Sequence, residues 1–191
     1  MAAAPAGIPV FFKFNRKPVL VVGSGTAAIA TVFRLLEGGG RVVLVAPALP
    51  AELSGLRRAG ALTWRKRAPA ARDFAKLAMI FPQSDSAALN RRLSQIARKR
   101  RIPVGGGRAD SGHDIELGPV LWRGPLLIGF WLFQSGTWLK RWLWRRLLKQ
   151  WGEEWQRMLR GVAKYPAGWG KDRKPSQINR EMSRLLKKAR R

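Results

Sequence analysis

Short apolar runs and stretches of helical periodicity take turns through the first half of this chain. Val19-Leu20-Val21-Val22 has no polar member and stops at Gly23-Ser24-Gly25, the pattern of a buried strand meeting a tight turn. From Thr26 to Glu37 the residues Ala27, Ala30, Val32, Phe33, Leu35 and Leu36 recur at helical spacing, and Gly38-Gly39-Gly40 supplies the stop. Arg41 to Ala46 predicts a second strand. Two buried strands around one helix make a βαβ unit, whose crossover is right-handed in nearly all proteins. Pro50 to Gly60 predicts another helix with a glycine stop, Ala61 to Trp64 a short strand and Leu77 to Phe81 a core strand. Ser86 to Arg101 sets Leu89, Leu93, Ile96 and Ala97 on one face, with Arg91, Arg92, Arg98 and Lys99 elsewhere, as in an amphipathic helix. Ile102-Pro103-Val104 predicts the next strand, broken by Gly105-Gly106-Gly107.

The pattern changes near residue 115. Val120 to Leu139 is apolar apart from Arg123 and a few neutral polar residues, and tryptophan becomes frequent. From Trp138 onward Leu139, Leu143, Leu147, Trp151, Trp155, Leu159 and Val162 form one stripe, with Lys140, Arg141, Arg145, Lys149, Arg157 and Arg160 off it. This predicts a long basic amphipathic helix. Gly124 to Leu139 carries no charge but is shorter than the roughly 20 residues a spanning helix needs. Tyr165 to Pro175 is a Pro/Gly/Lys linker, and Ser176 is placed to cap a short basic helix fraying into the final Lys and Arg residues. The expected fold class is α/β: a Rossmann-like parallel sheet with helices on both faces (1–115), then a smaller α+β or helical domain (116–165) and a basic linker and tail (166–191).

Composition narrows the chemistry. The chain has no cysteine and one histidine, His113, so disulfides, thiolate metal sites and cysteine nucleophiles are excluded and no metal site is expected. The first residues lack the basic start and apolar core of a secretory signal, which predicts a cytoplasmic protein. A net charge of +26, rising toward the C-terminus, favours polyanionic partners: nucleic acid, an anionic membrane surface or a substrate with many carboxylates. The basic runs Arg65-Lys66-Arg67 and Arg98-Lys99-Arg100-Arg101 lie in different elements and match no nucleic-acid motif, so nucleic acid is not the expected partner.

Gly23-x-Gly25-x-x-Ala28 sits after a strand and at the mouth of a helix. There the first glycine permits the turn, the second lets backbone approach a pyrophosphate, and a small third residue allows close helix–strand packing. This context predicts dinucleotide binding. Val45-Ala46-Pro47 offers no acidic residue for the ribose hydroxyls, so these residues leave NAD against NADP open.

Pro18-Val-Leu-Val-Val-Gly-Ser-Gly-Thr-Ala-Ala, Arg34-Leu-Leu-Glu-Gly-Gly-Gly-Arg-Val-Val-Leu-Val-Ala-Pro47, Ser84-Asp85 with Leu89-Asn90, Ile102-Pro103-Val104 and Arg123-Gly124-Pro125 together resemble the N-terminal domain of siroheme synthases, the precorrin-2 dehydrogenase and sirohydrochlorin ferrochelatase family, over residues 8 to 160. The resemblance implies NAD-dependent oxidation of precorrin-2, a tetrapyrrole polycarboxylate, to sirohydrochlorin, sometimes with iron insertion, in a homodimer whose second domain supplies the dimer contact. It implies a nucleotide lying against Gly23, Ser24, Gly25, Thr26 and Ala27, with Pro47 and Ala48 near the adenosine side and Ser84 and Asp85 bordering the cleft. Two departures stand out. Where the family runs Asn-Val-Val-Asp into its acid/base and chelation residue, this chain reads Gly105-Gly106-Gly107-Arg108. Arginine accepts no proton near neutral pH. The family's Ser/Gly-rich loop is replaced by Trp131 to Thr137. Asp110, His113 and Asp114 are the nearby candidates to substitute as acid/base groups or metal ligands. A second reading keeps the NAD-binding fold without the chemistry, as a binding or scaffold protein whose Trp-rich basic region meets a membrane surface or a polyanionic partner.

Overall fold

The computed structural model describes residues 8–106, 113–118, 120–123, 126–129 and 174–189, together with the single positions 145, 157 and 161. The chain divides into two compact units, one running Ala6–Leu117 and the other holding the residues from Gly118 onward.

Four strands of the first unit, β1 (Pro18–Val22), β2 (Arg41–Val45), β3 (Leu62–Arg65) and β4 (Met79–Pro82), form a parallel sheet in the order β3-β2-β1-β4. Val21 pairs with Leu44 on one side and Phe81 on the other. The central strand is covered on both faces, which is why it reads as an unbroken apolar run rather than an alternation. Val19 and Val21 pack with Ala28, Val32 and Leu35 of α1 (Thr26–Glu37). Leu20 and Val22 face the other way, onto Leu93 and Ala97 of α3 (Ala87–Lys99). Val19, Leu20 and Val21 expose no surface at all, and each such aliphatic side chain contributes about 1.5–3 kcal/mol of burial. Helices therefore lie on both faces of a Rossmann-like sheet.

The helix signals hold at their ends. Gly38 caps α1, Gly39 takes a positive φ of 74°, and the Gly40 N–H closes onto the Leu35 carbonyl at 2.8 Å. Ser86 caps α3, its hydroxyl accepting the Leu89 N–H at 3.2 Å. Elsewhere the elements differ from the pattern. The stretch after Pro50 forms a 3₁₀ turn (Ala51–Leu53) and only a short helix α2 (Ser54–Arg58), with Gly60 at φ 72° ending it. Its apolar residues are too few to bury more than Leu53, so a longer helix has nothing to pack.

Gly105 and Gly106 do not break the chain's extended path, and Gly107 lies outside the described residues. Val104 bridges to Ile80, and Gly105–Gly106 forms strand β5, paired in parallel with β6 (Ile115–Glu116). The reason is contact: a Cβ on Gly105 would lie 2.1 Å from the ring of Phe81, so only glycine lets this strand lie against that side chain.

In the second unit β7 (Val120–Arg123) and β8 (Leu126–Gly129) form an antiparallel hairpin, and α4 (Pro175–Ala189) is helical. Ser176 does not cap α4. The helix starts one residue earlier at Pro175, whose fixed φ suits the first helical position, and the Gln177 side chain accepts the Lys174 N–H at 3.1 Å. Most of the amphipathic stripe from Trp138 to Val162, and the loop Trp131 to Thr137, lie outside the described residues. Among the described residues no helix is long and apolar enough to cross a membrane.

Candidate functional site

The order β3-β2-β1-β4 reverses direction between β1 and β4, and in open parallel sheets ligands bind in the crevice beyond the strand ends at such a switch point. Gly23, the first residue past β1, takes φ 129°, and its N–H donates to the Val45 carbonyl at 3.1 Å, tying the turn to the end of β2. On the other side it touches the end of β4. A Cβ there would stand 2.2 Å from the Gln83 carbonyl oxygen and 2.9 Å from the Ser84 nitrogen. Gly23 is therefore glycine for two separate reasons, dihedral and contact.

Gly25 is different. Its φ is −75°, it caps α1 without a side chain, and a Cβ at this position would meet only Asp85 Oδ1 at 3.5 Å. No acidic residue occupies the first turn of α1. The helix thus presents backbone N–H groups and the positive end of its dipole beside Thr26 and Ala27, both exposed. Ala28 behind them is fully buried against the sheet, as close packing of helix and strand requires.

The loop from β4 to α3 forms the opposite wall. Asn90 holds it with three contacts: its Oδ1 accepts the Ser84 N–H at 3.0 Å and the Ser84 hydroxyl at 2.7 Å, and its Nδ2 donates to the Ser84 carbonyl at 2.8 Å. Ser84 and Asp85 are thereby set against Gly23 and Gly25. Pro47 and Ala48 follow β2 and are exposed, while Ala46 is buried and its carbonyl accepts the Trp64 indole N–H at 3.1 Å. The structure thus gathers the turn at Gly23 and Gly25 with Ser84 and Asp85 at the β1/β4 switch point, with Pro47 and Ala48 following the adjoining strand β2.

The acid/base candidates are placed separately. Arg108 and Asp110 lie outside the described residues. Asp114 accepts the Val104 N–H through Oδ2 at 2.9 Å, so its carboxylate fastens the segment before β6 to the start of β5. His113 lies against Gly106, with Nε2 3.7 Å from a Glu116 carboxylate oxygen. Among the described residues no group of three or more His, Asp or Glu side chains is arranged to hold a metal ion.

Sequence reasoning missed Gln83 and the role of Asn90. Asn90 was part of the family pattern, but its role as the pin of the β4–α3 loop needs the turn to be seen. Gln83 gave only a weak signal, a polar residue ending an apolar strand. Its Oε1 is buried without a hydrogen-bond partner among the described residues. The glycine turn, the helix end free of a capping side chain and this orphaned acceptor all fit a phosphate-bearing ligand with hydrogen-bond donors, which is what a nicotinamide dinucleotide is.

A second polar cluster lies past β3. Asp73, with a fully buried side chain, accepts from Arg65, from Arg67 at 2.5 and 2.7 Å, and from the Ala70 N–H at 2.8 Å. Burial pushes its carboxyl upward, but the hydrogen bonds from Arg67, Ala70 and Arg65, with the Arg67 charge, outweigh this and hold its pKa at about 2.

Comparison with known proteins agrees with this geometry. Residues 10–110 match the NAD_binding_7 family model, described as "Putative NAD(P)-binding". The siroheme synthase of Sodalis glossinidius is 36% identical over 97 residues, covering 50% of this chain and 20% of that protein. That of Ectopseudomonas mendocina is 32% identical over 121 residues, covering 63% of this chain and 26% of that protein. The chain thus spans about a fifth to a quarter of the length of these curated relatives. Among solved structures, SirC, a precorrin-2 dehydrogenase, superposes with a TM-score of 0.71 at 18% identity, over 94% of this chain and 89% of that one. The glycine turn at the switch point and the family match over more than half the chain lead to one conclusion: this chain belongs to the NAD_binding_7 family of putative NAD(P)-binding domains.

Proposed function

We propose that this chain binds a nicotinamide dinucleotide at the β1/β4 crevice and oxidises precorrin-2, as the resemblance implies, with NAD as the expected form of the cofactor. The observation that carries this reading is the Gly23–Ala28 turn, whose backbone donors and α1 N-terminus face the crevice with no capping side chain in the way. Gly23 to Ala27 would hold the pyrophosphate, Pro47 and Ala48 the adenosine side, and Ser84 and Asp85 the wall toward the substrate. When bound, the nicotinamide supplies the hydride acceptor. The chain's own task is to orient that ring, to accept the proton released with the hydride, and to meet the carboxylates of the substrate with its excess of Arg and Lys.

The proton acceptor is the open element. Arg108 stands where the family has an aspartate, which leaves Asp110, His113 and Asp114, and Asp114 is committed to the Val104 N–H. This observation supports a second reading, a dinucleotide-binding homologue without turnover. The reading extends to a cytoplasmic homodimer in which residues 116–165 supply the dimer contact, with the basic Trp-rich segment as the place where an anionic membrane surface would be met in the second case.

The experiment is purified protein with enzymatically made precorrin-2, followed by dinucleotide reduction, beside an Arg108→Asp variant. Turnover by the native chain is the expected outcome. Dinucleotide binding without turnover, with activity gained by Arg108→Asp, would establish the second reading instead.

A further inference from the structure

Gln83 is a residue that neither the family pattern nor the phosphate turn accounts for. It follows directly on β4, at the strand end where the sheet order reverses. Its backbone is fastened from both directions: the Gln83 N–H donates to the Val22 carbonyl at 2.8 Å, and its carbonyl fills the space a side chain on Gly23 would need. The side chain is therefore carried on rigid backbone.

Along β4, Met79 and Phe81 pack with α1, and Ile80 packs with α3. Two residues beyond Phe81, Gln83 continues the α1 side of the strand, with its backbone carbonyl against Gly23 of the glycine turn. There its Oε1 is shut off from solvent and has no donor among the described residues. Buried carbonyl oxygens almost always find a partner, and an unpaired one at a ligand crevice is a place where the fold carries a cost that binding repays.

We propose that Gln83 Oε1 accepts a hydrogen bond from the nicotinamide riboside half of the bound dinucleotide. The inference rests on the dinucleotide reading above. The half is set by the topology: the adenosine ribose belongs at the end of β2, so the end of β4, across the switch point, takes the other nucleoside. Hydroxyls of that ribose and the carboxamide N–H groups are donors of the kind Oε1 lacks.

The test uses the full chain and Gln83→Met, a nearly isosteric change that removes the acceptor. Affinities for NAD⁺, NADP⁺ and ADP are measured by calorimetry, and melting is measured without ligand. Gln83→Met is expected to weaken NAD⁺ and NADP⁺ on the order of tenfold, the worth of one hydrogen bond, and to leave ADP, which has no nicotinamide riboside, unchanged. It is also expected to raise the ligand-free melting temperature by about 2–4 °C, because an unpaired buried acceptor has gone. A residue with a purely structural role would lower that temperature. Equal dinucleotide binding by both proteins, an equal loss for ADP, or a variant that melts lower or fails to fold would each overturn the inference. If the native chain bound none of the three nucleotides, the dinucleotide reading would fall and this assignment with it.

Discussion

Gly23 and Gly25 occupy one short motif yet answer to different constraints. Gly23 has a positive φ and backbone atoms packed where a Cβ would go, whereas Gly25 has an ordinary φ and open space bounded by Asp85. Gly23→Ala is therefore expected to cost on the order of 2–5 kcal/mol of folding stability, from dihedral strain plus a clash with rigid backbone. Gly25→Ala should change stability by less than about 1 kcal/mol but weaken dinucleotide binding at least about tenfold, since its methyl group stands where the pyrophosphate approaches. Thermal melts and nucleotide titrations of the two variants would check this; a Gly25→Ala protein that binds as well as the native chain would show that the turn holds no phosphate.

Between elements, Asp73 makes a polar tie of several hydrogen bonds. It joins the 3₁₀ turn Ala71–Phe74 to Arg65 at the end of β3 and to Arg67 beyond it, through a carboxylate that solvent does not reach. Its folded pKa of about 2 lies below the ordinary 3.8. A depressed carboxyl contributes stability that is complete above the unfolded value and is lost as pH falls through the folded one. Melting temperature should accordingly drop between about pH 4 and pH 2, and Asp73→Asn should flatten that drop while costing about 3 kcal/mol at neutral pH, because two guanidiniums lose their shared charge partner. In the sequence, Arg65-Lys66-Arg67 is only a basic run that matches no nucleic-acid motif. Two of its members are instead the clamp on a buried acid, a relation no local pattern displays.

At the scale of the whole molecule, 37 Lys and Arg residues stand against 11 Asp and Glu. A net charge of +26 makes self-repulsion a standing cost of compactness, and salt relieves it because the screening length falls from about 10 Å at 0.1 M to about 3 Å at 1 M. Raising sodium chloride from about 0.05 to 0.5 M is expected to raise the melting temperature by a few degrees, roughly 2–4 °C for each kcal/mol recovered. A fall would mean that ion pairs outweigh repulsion. The Asp73 carboxylate is itself shielded from solvent, so salt screens its ion pairs less than it screens exposed charges.

By itself the amino-acid sequence determined strands β1 to β4, helices α1 and α3 and the glycine turn, since these depend on runs, periods and caps within a few residues. Val19 to Val22, the Gly38-Gly39-Gly40 stop, the Ser86 cap and Gly23-x-Gly25-x-x-Ala28 are all local signals. Tertiary structure alone decided which strand ends meet. The approach of Ser84, Asp85 and Gln83 to Gly23 and Gly25 follows from β4 pairing with β1 rather than with β3, and the extension of Gly105 and Gly106 into a strand follows from the Phe81 ring beneath them. Pairing is a matter of backbone hydrogen bonds and packing between segments far apart along the chain, and neither leaves a periodicity in either segment. The orphaned acceptor of Gln83 belongs to the same class, because whether a polar atom has a partner is a property of its surroundings and not of its residue type.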